Sequence, residues 1–422
     1  MSFQPPPVVE VAGYDDARAA WRCPHLSTRT AGPGDEEVRG GTVVRLDGEA
    51  HRERRRAMGR LLSRGGHQYF RDNFLFPTGD AALADALKRP DDDGVVRLEV
   101  RSWARRVNQQ LAAALVGFDD ATTPEGSDEL FELVQKFLAG YQNIVDNALR
   151  PYDFDEDVKR AATAARDEML ERFYEPALAR RRALVAKVAA GEMDEANLPQ
   201  DFLTLVAQGA DPAWEDDALA KREAVFLLGA GVHTTANSLI WTLRELFAHF
   251  ETHPEDRALR HDEEFLLAAA REAIRLHPVA EGFIRRVEEE YELPSGQVLH
   301  QGDIAMIRSG PASADPERYG PDAMEFNPHR TVERGVSAHG FAFGGGAHMC
   351  FGMPLVMGAE GLDGSLVYLV KLLMSADVEP DPTTPFLPLD ESRAIQDPGH
   401  KGLPLIVRLD PKAPTLTTGV HA

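Results

Sequence analysis

Long segments in which apolar and polar positions recur with a helical period predict a mostly helical protein. The longest apolar segment covers residues 224–250. Further helices are predicted over residues 14–21, 51–62, 128–149, 155–190, 265–277 and 355–374. Between residues 70 and 115 the pattern indicates a helix, a turn, a short strand and a second helix. Helices therefore make up most of the predicted structure.

Short strands form the smaller part of the pattern. They are predicted around residues 8–11, 95–98 and 385–409, and between residues 282 and 307, where two turns separate them. Residues 27–48 are rich in glycine and charge and are expected to form a mobile loop. Residues 411–422 are expected to form a disordered tail. The pattern indicates a mainly α (α+β) protein, and its length alone would suggest roughly three domains, although large single-core folds break that rule.

The apolar segment 224–250 contains residues that a helix interior normally avoids. Gly229, Gly231, Thr234 and Thr235 each lower helix propensity. A helix that keeps them is expected to bring its backbone close to another element or to contain a local bulge. The Gly-Ala-Gly run is not a dinucleotide-binding fingerprint, because the third glycine and the surrounding strands and helices are missing.

A second unusual stretch runs from Phe341 to Gly352 and contains three consecutive glycines, 344–346. These glycines allow turn conformations that are closed to residues with a Cβ. Cys350 follows them, and Pro354 then suits the first turn of a helix. A thiolate at this place would be stabilised by the helix N-terminus and by hydrogen bonds to sulfur. The alternative is a glycine-rich turn around a buried structural cysteine.

Composition narrows the class of protein. The apolar content of 43% allows a large core, and the only two cysteines, Cys23 and Cys350, give no disulfide framework. Their number indicates a reducing, cytoplasmic compartment. A net charge of −22 argues against a nucleic-acid-binding protein. The N-terminal residues lack a signal-peptide pattern, and no stretch is expected to span or anchor in a membrane.

One helical segment stands out as basic on this acidic chain. His51 and Arg55 lie four residues apart and therefore share a helix face. Arg52, Arg54 and Arg56 are predicted to form either a solvated basic face or a docking surface. Farther along, His249 and His253 do not match the zinc-protease pattern, because glutamate does not directly follow the first histidine.

The pattern Phe343-Gly344-x-Gly346-x-His348-x-Cys350-x-Gly352 resembles the haem-binding loop of the cytochrome P450 family. The resemblance implies that residues 1–410 form a single two-lobed domain, in which a large helical part and a small β-rich lobe surround a buried haem b. It also implies a shortened N-terminus, because the family's usual first helix and first strand have no counterpart here. Cys350 would be the thiolate ligand of the iron, and Phe343 and Gly344 would contact the haem.

The segment Ala230-Gly231-Val232-His233-Thr234-Thr235 resembles the family's oxygen-activation motif. In that motif Ala230 and Gly231 would leave space beside the iron. Thr234 would hydrogen-bond oxygen or a water that delivers protons. His233 occupies the position that usually carries an acid, so it is either a proton relay or a structural histidine.

The resemblance also implies residues that hold the haem and its loop. Propionate-binding positions fall on His51, Arg55, His348 and Arg285, although the neighbouring Arg286 leaves the last assignment open by one position. A structural clamp would consist of three charged residues, Glu272, Arg275 and Arg330.

The implied function is a monooxygenase that inserts one atom of O2 into a small, largely apolar organic substrate. Electrons would come from a separate ferredoxin-like or flavin donor that docks near Arg52, Arg54 and Arg56. A peroxide-driven haem enzyme and a haem sensor or carrier without turnover remain as alternatives. The presence of Thr234 argues against the carrier.

Overall fold

The computed structural model describes residues 6–30, 33–144, 155–359, 361–384 and 406–409. Helices dominate these residues, as predicted. In chain order they are α1 Tyr14–Ala20, α2 Pro33–Arg39, α3 Gly48–Met58, α4 Arg64–Phe70, α5 Phe76–Leu87, α6 Val100–Val116, α7 Pro124–Ile144, α8 Glu156–Met169, α9 Glu175–Ala189, α10 Phe202–Ala207, α11 Asp217–Thr252, α12 Glu263–Leu276, α13 Ser309–Ser313, α14 Pro316–Tyr319, α15 Met353–Met357 and α16 Ser365–Ser375.

The central helix α11 is 36 residues long and separates two hydrophobic cores. The side chain of Asp216 caps its N-terminus by accepting a hydrogen bond from the N–H of Ala218. One core packs α11 against α5, α6, α12 and α16, and the other packs it against α6 to α10. Because α11 belongs to both cores, its position fixes the frame of the helical domain.

The strands form a separate, smaller lobe and two minor sheets. They are β1 Val8–Val11, β2 Leu26–Ser27, β3 Val96–Glu99, β4 Gly282–Val287, β5 Tyr291–Glu292, β6 Val298–Leu299, β7 Ile304–Arg308, β8 Glu379–Pro380 and β9 Ile406–Leu409. The lobe is built on a four-stranded sheet of order β1-β7-β4-β2, in which β1 is parallel to β7 and the other pairs are antiparallel. A third core packs this sheet against α1.

Two predicted elements differ from the structure. The loop predicted over residues 27–48 contains α2 and a 3-10 turn, Val43–Arg45. The single helix predicted over residues 355–374 is two helices, α15 and α16, because Gly358 adopts a left-handed φ of 86° between them. A Cβ on Gly358 would lie 2.2 Å from the carbonyl oxygen of Leu362. The predictions for residues 145–149, 385–405 and 411–422 lie outside the described residues.

The unusual residues of α11 are explained by close packing. The helix is α-helical from Asp217 to Thr252, so the alternative of a bulge is not the one observed. A Cβ on Gly231 would lie 3.0 Å from the Cβ of Ala112, because α6 crosses α11 there. Turns of π-helix occur elsewhere, at Arg71–Leu75 and Leu170–Tyr174.

Of the helices that the structure describes, α11 alone is long and apolar enough to cross a membrane by length and composition. Slightly more than half of its most apolar window, 56%, is buried inside the protein. A helix that packs on two hydrophobic cores of one protein has the same length and apolar composition as a membrane span. The composition of α11 therefore agrees with its place in the core.

Candidate active site

The glycine-rich loop is a tight bend seated on an aromatic side chain. Gly344 and Gly346 have left-handed φ values of 68° and 62°. At Gly346 a Cβ would lie 1.9 Å from the carbonyl oxygen of Trp21, so the loop backbone touches α1. The N–H of Cys350 donates to the carbonyl of Phe343 over 2.8 Å and closes the bend. Only glycine fits these positions, which explains the pattern in the sequence.

Cys350 is exposed, whereas Cys23 is buried. Burial nevertheless raises the pKa of the Cys350 thiol, while hydrogen bonds from the N–H groups of Gly352 and Met353 and the charge of Arg55 oppose that rise. Cys350 is thus accessible although protein atoms surround much of it. The two N–H groups aimed at sulfur are the hydrogen bonds that the sequence predicts for this loop.

A buried ion cluster holds the segment that leads into the loop. Arg275 donates to both carboxylate oxygens of Glu272 at 2.7 Å and to the carbonyls of Ser313 and Ala323 at 2.6 and 2.8 Å. The Nε of Arg330 donates to Glu272 at 2.8 Å. The three charged residues predicted as a clamp are thus in direct contact.

Two predicted propionate ligands are in contact with each other. The rings of His51 and His348 stack with centroids 4.1 Å apart, and the Nε2 of His348 lies 3.1 Å from Asp47 Oδ1. Burial, together with the neighbouring His348 and Arg55, lowers the pKa of His51 to about 4. Although burial raises the pKa of Asp47, hydrogen bonds from His348 and Thr28 outweigh it and hold that pKa at about 2.

Arg55 joins the basic helix α3 to the glycine-rich loop. Its Nη1 donates to the carbonyl of Met349 over 2.8 Å. Its guanidinium lies 4.9 Å from the ring centroid of Phe351. Arg55 therefore contacts the residues on either side of Cys350, on the helix face that also carries His51.

The structure distinguishes Arg285 from Arg286. Arg286 is exposed, whereas burial lowers the pKa of Arg285 to about 10, and the carboxylate of Asp47 opposes that shift. Arg285 also lies 5.0 Å over the ring of Trp21. Successive residues of β4 point to opposite faces of the sheet, so only Arg285 belongs to the group around Asp47.

The basic helix is less uniform than predicted. Arg52 and Arg56 are exposed, but Arg54 is only 3% exposed. The Nη1 of Arg54 donates to Glu223 of α11 over 2.7 Å, and its Nε pairs with Asp211. The prediction that Arg54 belongs to a docking surface is wrong, because this side chain neutralises a buried carboxylate.

One face of α11 is accessible in the middle of the protein. Ala230 and Thr234 are exposed, although Val232, Thr235 and Ala236 around them are buried. Positions four residues apart share a helix face. Phe351 packs against the same hydrophobic core as Val232. The accessible positions are Ala230 and Thr234, whereas Gly231 packs against α6.

His233 lies beside this face, in an unusual environment. Burial, together with the charges of Arg105 and Arg101, lowers its pKa to about 4. Neither ring nitrogen has a hydrogen-bond partner among the described residues. The hydroxyl of Thr234, by contrast, donates to the carbonyl of Ala230 over 2.9 Å. His233 is therefore a neutral imidazole at pH 7.

Sequence reasoning missed three contributors to this site. Trp21 supports the loop, Asp47 orders His348, and Arg105 faces His233. Nothing near these residues in the sequence singles them out, because each acts on a partner more than a hundred positions away.

The residues present fit a haem group. Haem needs an axial ligand, donors for two carboxylates and apolar contacts on both faces. The accessible Cys350 supplies the first, and Arg55, Arg285, His51 and His348 gather donors on one side of it. Ala230 offers an apolar position on the accessible face of α11.

Comparisons with known proteins agree with this fit. The sequence model of the family "Cytochrome P450" matches residues 7–395. Cytochrome P450 monooxygenase 91 of Postia placenta is 24% identical over 74% of this chain and 68% of its own length. Mycinamicin VIII C21 methyl hydroxylase of Micromonospora griseorubida is 33% identical, but the match covers only 37% of this chain and 38% of that protein.

Solved structures share the fold. Substrate-free CYP109E1 from Bacillus megaterium superimposes with a TM-score of 0.69 at 18% identity, and the match covers 96% of this chain and 93% of that one. At 18% identity this likeness supports only the shared fold. The assignment to a family rests on the match to the sequence model. The chain belongs to the cytochrome P450 family of haem-thiolate monooxygenases, and its cofactor is haem b.

Proposed function

We propose that this protein inserts one atom of O2 into a small, largely apolar organic substrate, with electrons from a separate donor. The observation that carries the proposal is the exposed Cys350 of the glycine-rich loop, whose sulfur accepts hydrogen bonds from Gly352 and Met353. Haem with a thiolate ligand supplies the reductive activation of O2, in which one oxygen atom enters the substrate and the other becomes water.

The thiolate side holds and orients the cofactor. Arg55, Arg285, His51 and His348 would bind the haem propionates, and Phe343 and Gly344 would contact the haem. Arg55 is the best supported of these, because its bond to Met349 already places its charge beside Cys350. The hydrogen bonds from Gly352 and Met353 would draw electron density from sulfur and thereby tune its donation to iron.

The α11 side would handle protons and substrate. The Thr234 hydroxyl donates to the carbonyl of Ala230, so its oxygen lone pairs remain available to accept from a water. Neutral His233 can donate from one nitrogen and accept at the other, which suits a water-mediated relay. The exposed Ala230 and the partly buried Phe226 and Leu227 on the same helix favour an apolar substrate.

The electron donor is proposed to dock on α3. Arg52 and Arg56 are exposed on a chain of net charge −22, and Arg55 of the same helix reaches the loop that carries Cys350. A ferredoxin-like or flavin protein with an acidic face fits this surface. We also propose that the protein is soluble and cytoplasmic, which its two unpaired cysteines and the burial of α11 support.

One observation favours a second candidate, a peroxide-driven enzyme. His233 replaces the usual acid, and its ring nitrogens have no protein partner among the described residues. H2O2 is O2 already reduced by two electrons and two protons, so an enzyme that uses it (RH + H2O2 → ROH + H2O) would need neither an electron donor nor proton delivery from solvent at this position.

A single comparison tests both proposals. The haem-loaded protein is first given a panel of apolar compounds, and binding is scored by the shift of the haem spin state. Ligands that bind are then supplied either with O2, NAD(P)H and a ferredoxin-reductase pair, or with H2O2 alone. Product only in the first reaction supports the monooxygenase, and product only in the second supports the peroxide-driven enzyme. Binding without product in either reaction would contradict both.

A further inference from the structure

Three side chains far from the haem loop converge on one point. The Nε2 atoms of His249 and His329 each lie 2.7 Å from Oδ2 of Asp256. These three atoms lie within 4.8 Å of one another. They come from three different segments: the last turn of α11, a short 3-10 helix after it, and the irregular segment before the glycine-rich loop.

The backbone fixes each of the three residues. His249 stands one turn before the end of α11, whose last residue is Thr252. Pro254 begins the 3-10 helix Pro254–Leu259, and this helix turns Asp256 back towards α11. The N–H of His329 donates to the Asn327 side chain over 3.0 Å. The three side chains therefore converge because the end of α11, the 3-10 helix and the bend at Asn327 hold their backbones in place.

The burial of the three side chains is graded. The side chain of His249 is 6% exposed, that of Asp256 15% and that of His329 54%. The rings of Phe326 and Phe265 cover the inner side at 5.8 Å from His249 and 5.5 Å from His329. One side of the cluster thus rests on apolar rings and the other opens to solvent, which gives an ion an entry path and a position for water.

The chemistry of the three atoms is that of a transition-metal site. Two imidazole nitrogens and one carboxylate oxygen, with water as the fourth ligand, suit tetrahedral Zn²⁺ and not Mg²⁺ or Ca²⁺, which prefer oxygen ligands. A carboxylate binds zinc in its ionised form and an imidazole in its neutral form. His253 stacks on His249 at 4.3 Å but bonds to Thr252, so it is not among the ligands.

We propose that His249, Asp256 and His329 bind one Zn²⁺ ion, with water at the fourth position. The ion would join the end of α11 to the segment that carries Arg330, the next residue after His329. Because Arg330 bonds to Glu272, the metal would tie α11 to the clamp that precedes the glycine-rich loop. Its role is structural, and no step of the oxygen chemistry passes through it.

The competing state of this cluster contains no metal. One carboxylate oxygen can accept two N–H groups, so both histidines would then carry hydrogen at Nε2. Zinc must replace both protons, and inter-ligand distances near 3.3 Å are expected from Zn–N and Zn–O bonds of about 2.0–2.1 Å. Binding therefore requires the Asp256 oxygen to move outward by about 0.6 Å, a distance open to a carboxylate that is partly exposed.

The test uses the haem-loaded protein, freed of adventitious metal by a chelator and titrated with ZnCl2 in a calorimeter. One Zn²⁺ is expected to bind per chain. His329→Ala and Asp256→Asn are expected to weaken binding by at least about tenfold, since even the loss of an outer-shell partner costs about 10–100-fold in affinity. His300→Ala is the matched control, because His300 also contacts a carboxylate, Glu290, at 2.9 Å but has no second histidine.

Absorption at the zinc edge gives an independent readout, because the haem iron does not contribute there. Two imidazoles and a carboxylate in the zinc shell support the proposal. No uptake of zinc, or equal affinity in the wild type, His329→Ala and Asp256→Asn, would overturn it. Circular dichroism of each variant verifies folding, and Asp256→Asn keeps the size of the side chain, so a folding defect in one variant leaves the other to decide.

Discussion

The two sides of the proposed haem site satisfy their polar groups in opposite ways. On the thiolate side, Arg275 is 1% exposed and its guanidinium donates four hydrogen bonds, all to protein acceptors. On the α11 side, both ring nitrogens of His233 and the Oδ1 of Asn237 have no partner among the described residues. Arg275 is thus satisfied by protein acceptors and these α11 atoms are not, although the Trp21 Nε1 at the glycine-rich loop also lacks a partner among the described residues.

This difference corresponds to two tasks. A fully bonded buried network is rigid, and breaking it is costly, so the thiolate side can hold Cys350 in one position. Buried polar atoms without partners are uncommon and mark places where water, substrate or strain belongs. We infer that the α11 side is built to accept mobile partners, and we expect mutations on the two sides to fail in different ways.

The largest effect is expected from the iron ligand. Cys350→His should abolish monooxygenase activity and the red-shifted Soret band of the reduced, CO-treated protein, because imidazole donates less electron density than thiolate. Cys23→Ser is the control and should keep the band, since Cys23 is buried in the third core. An unchanged CO spectrum in Cys350→His would show that Cys350 is not the ligand.

Mutations in the clamp of Glu272, Arg275 and Arg330 should mainly lower the free energy of unfolding. Arg275→Leu leaves Glu272 as a buried carboxylate with one partner fewer, and such losses cost about 3–5 kcal/mol of unfolding free energy. Urea denaturation of the haem-loaded protein measures this cost. Arg271→Leu on the exposed face of the same helix is the control and should change stability by less than about 0.5 kcal/mol. Similar losses in both variants would contradict a special role for the clamp.

Mutations on the α11 side should mainly lower the coupling of NAD(P)H consumption to product formation, and not the stability. Thr234→Ala and His233→Ala should each lower the product formed per NAD(P)H consumed, while the substrate-induced spin shift survives. If the two residues serve one proton path, the double variant should show less than the sum of the two losses. Wild-type coupling in His233→Ala, with reduced thermal stability alone, would show that the histidine is structural.

The pH dependence of coupling distinguishes two forms of the relay. The pKa of His233 is lowered to about 4, so the imidazole is neutral at pH 7. Coupling should therefore stay constant between about pH 6 and 8, whereas a histidine with an ordinary pKa near 6.5 would make it vary there. A depressed pKa also means that the unfolded state binds the proton more tightly. His233 thus contributes stability above about pH 6.5, and that contribution is lost as the pH falls towards 4.

The sequence predicts well what depends on local pattern. The helical content, the separate β-rich lobe and the contact of Glu272 with Arg275 and Arg330 all agree with the structure. The glycines of the loop were recognised as turn formers, and φ values of 68° and 62° at Gly344 and Gly346 confirm that reading. These features depend on residue spacing along the chain, which the sequence displays directly.

Predictions that depend on long-range packing were less successful. Arg54 resembles its neighbours in the sequence, but Glu223, 169 residues away, makes it a buried ion pair. The close approach of Gly231 to Ala112 of α6 could not be predicted from the sequence, and its expected place beside the iron stays a prediction. The pKa of His233 depends on Arg101 and Arg105, which are distant in the chain. A pattern of residue types cannot show which distant partner a side chain meets.

The smallest effect is expected at the docking surface, which belongs to the thiolate side through the bond from Arg55 to Met349. Arg52 and Arg56 are exposed, so replacing both with glutamate should leave stability and substrate affinity nearly unchanged. Reduction by an acidic donor should slow by about tenfold at low salt, because charge steering raises association rates by about 10–10³-fold.

Arg54 provides the matched contrast on the same helix. Arg54→Gln should destabilise the protein, since Glu223 is fully buried and loses its partner. It should leave the salt dependence of reduction intact, because a side chain that is 3% exposed cannot attract a donor over long range.

Stopped-flow reduction at low and high ionic strength measures the rate for Arg54→Gln and for the double variant. Screening at about 1 M salt shortens the Debye length to about 3 Å and should remove the difference between the wild type and the double variant. If the rates differ equally at both ionic strengths, Arg52 and Arg56 do not steer the donor, and the docking surface lies elsewhere on the thiolate side.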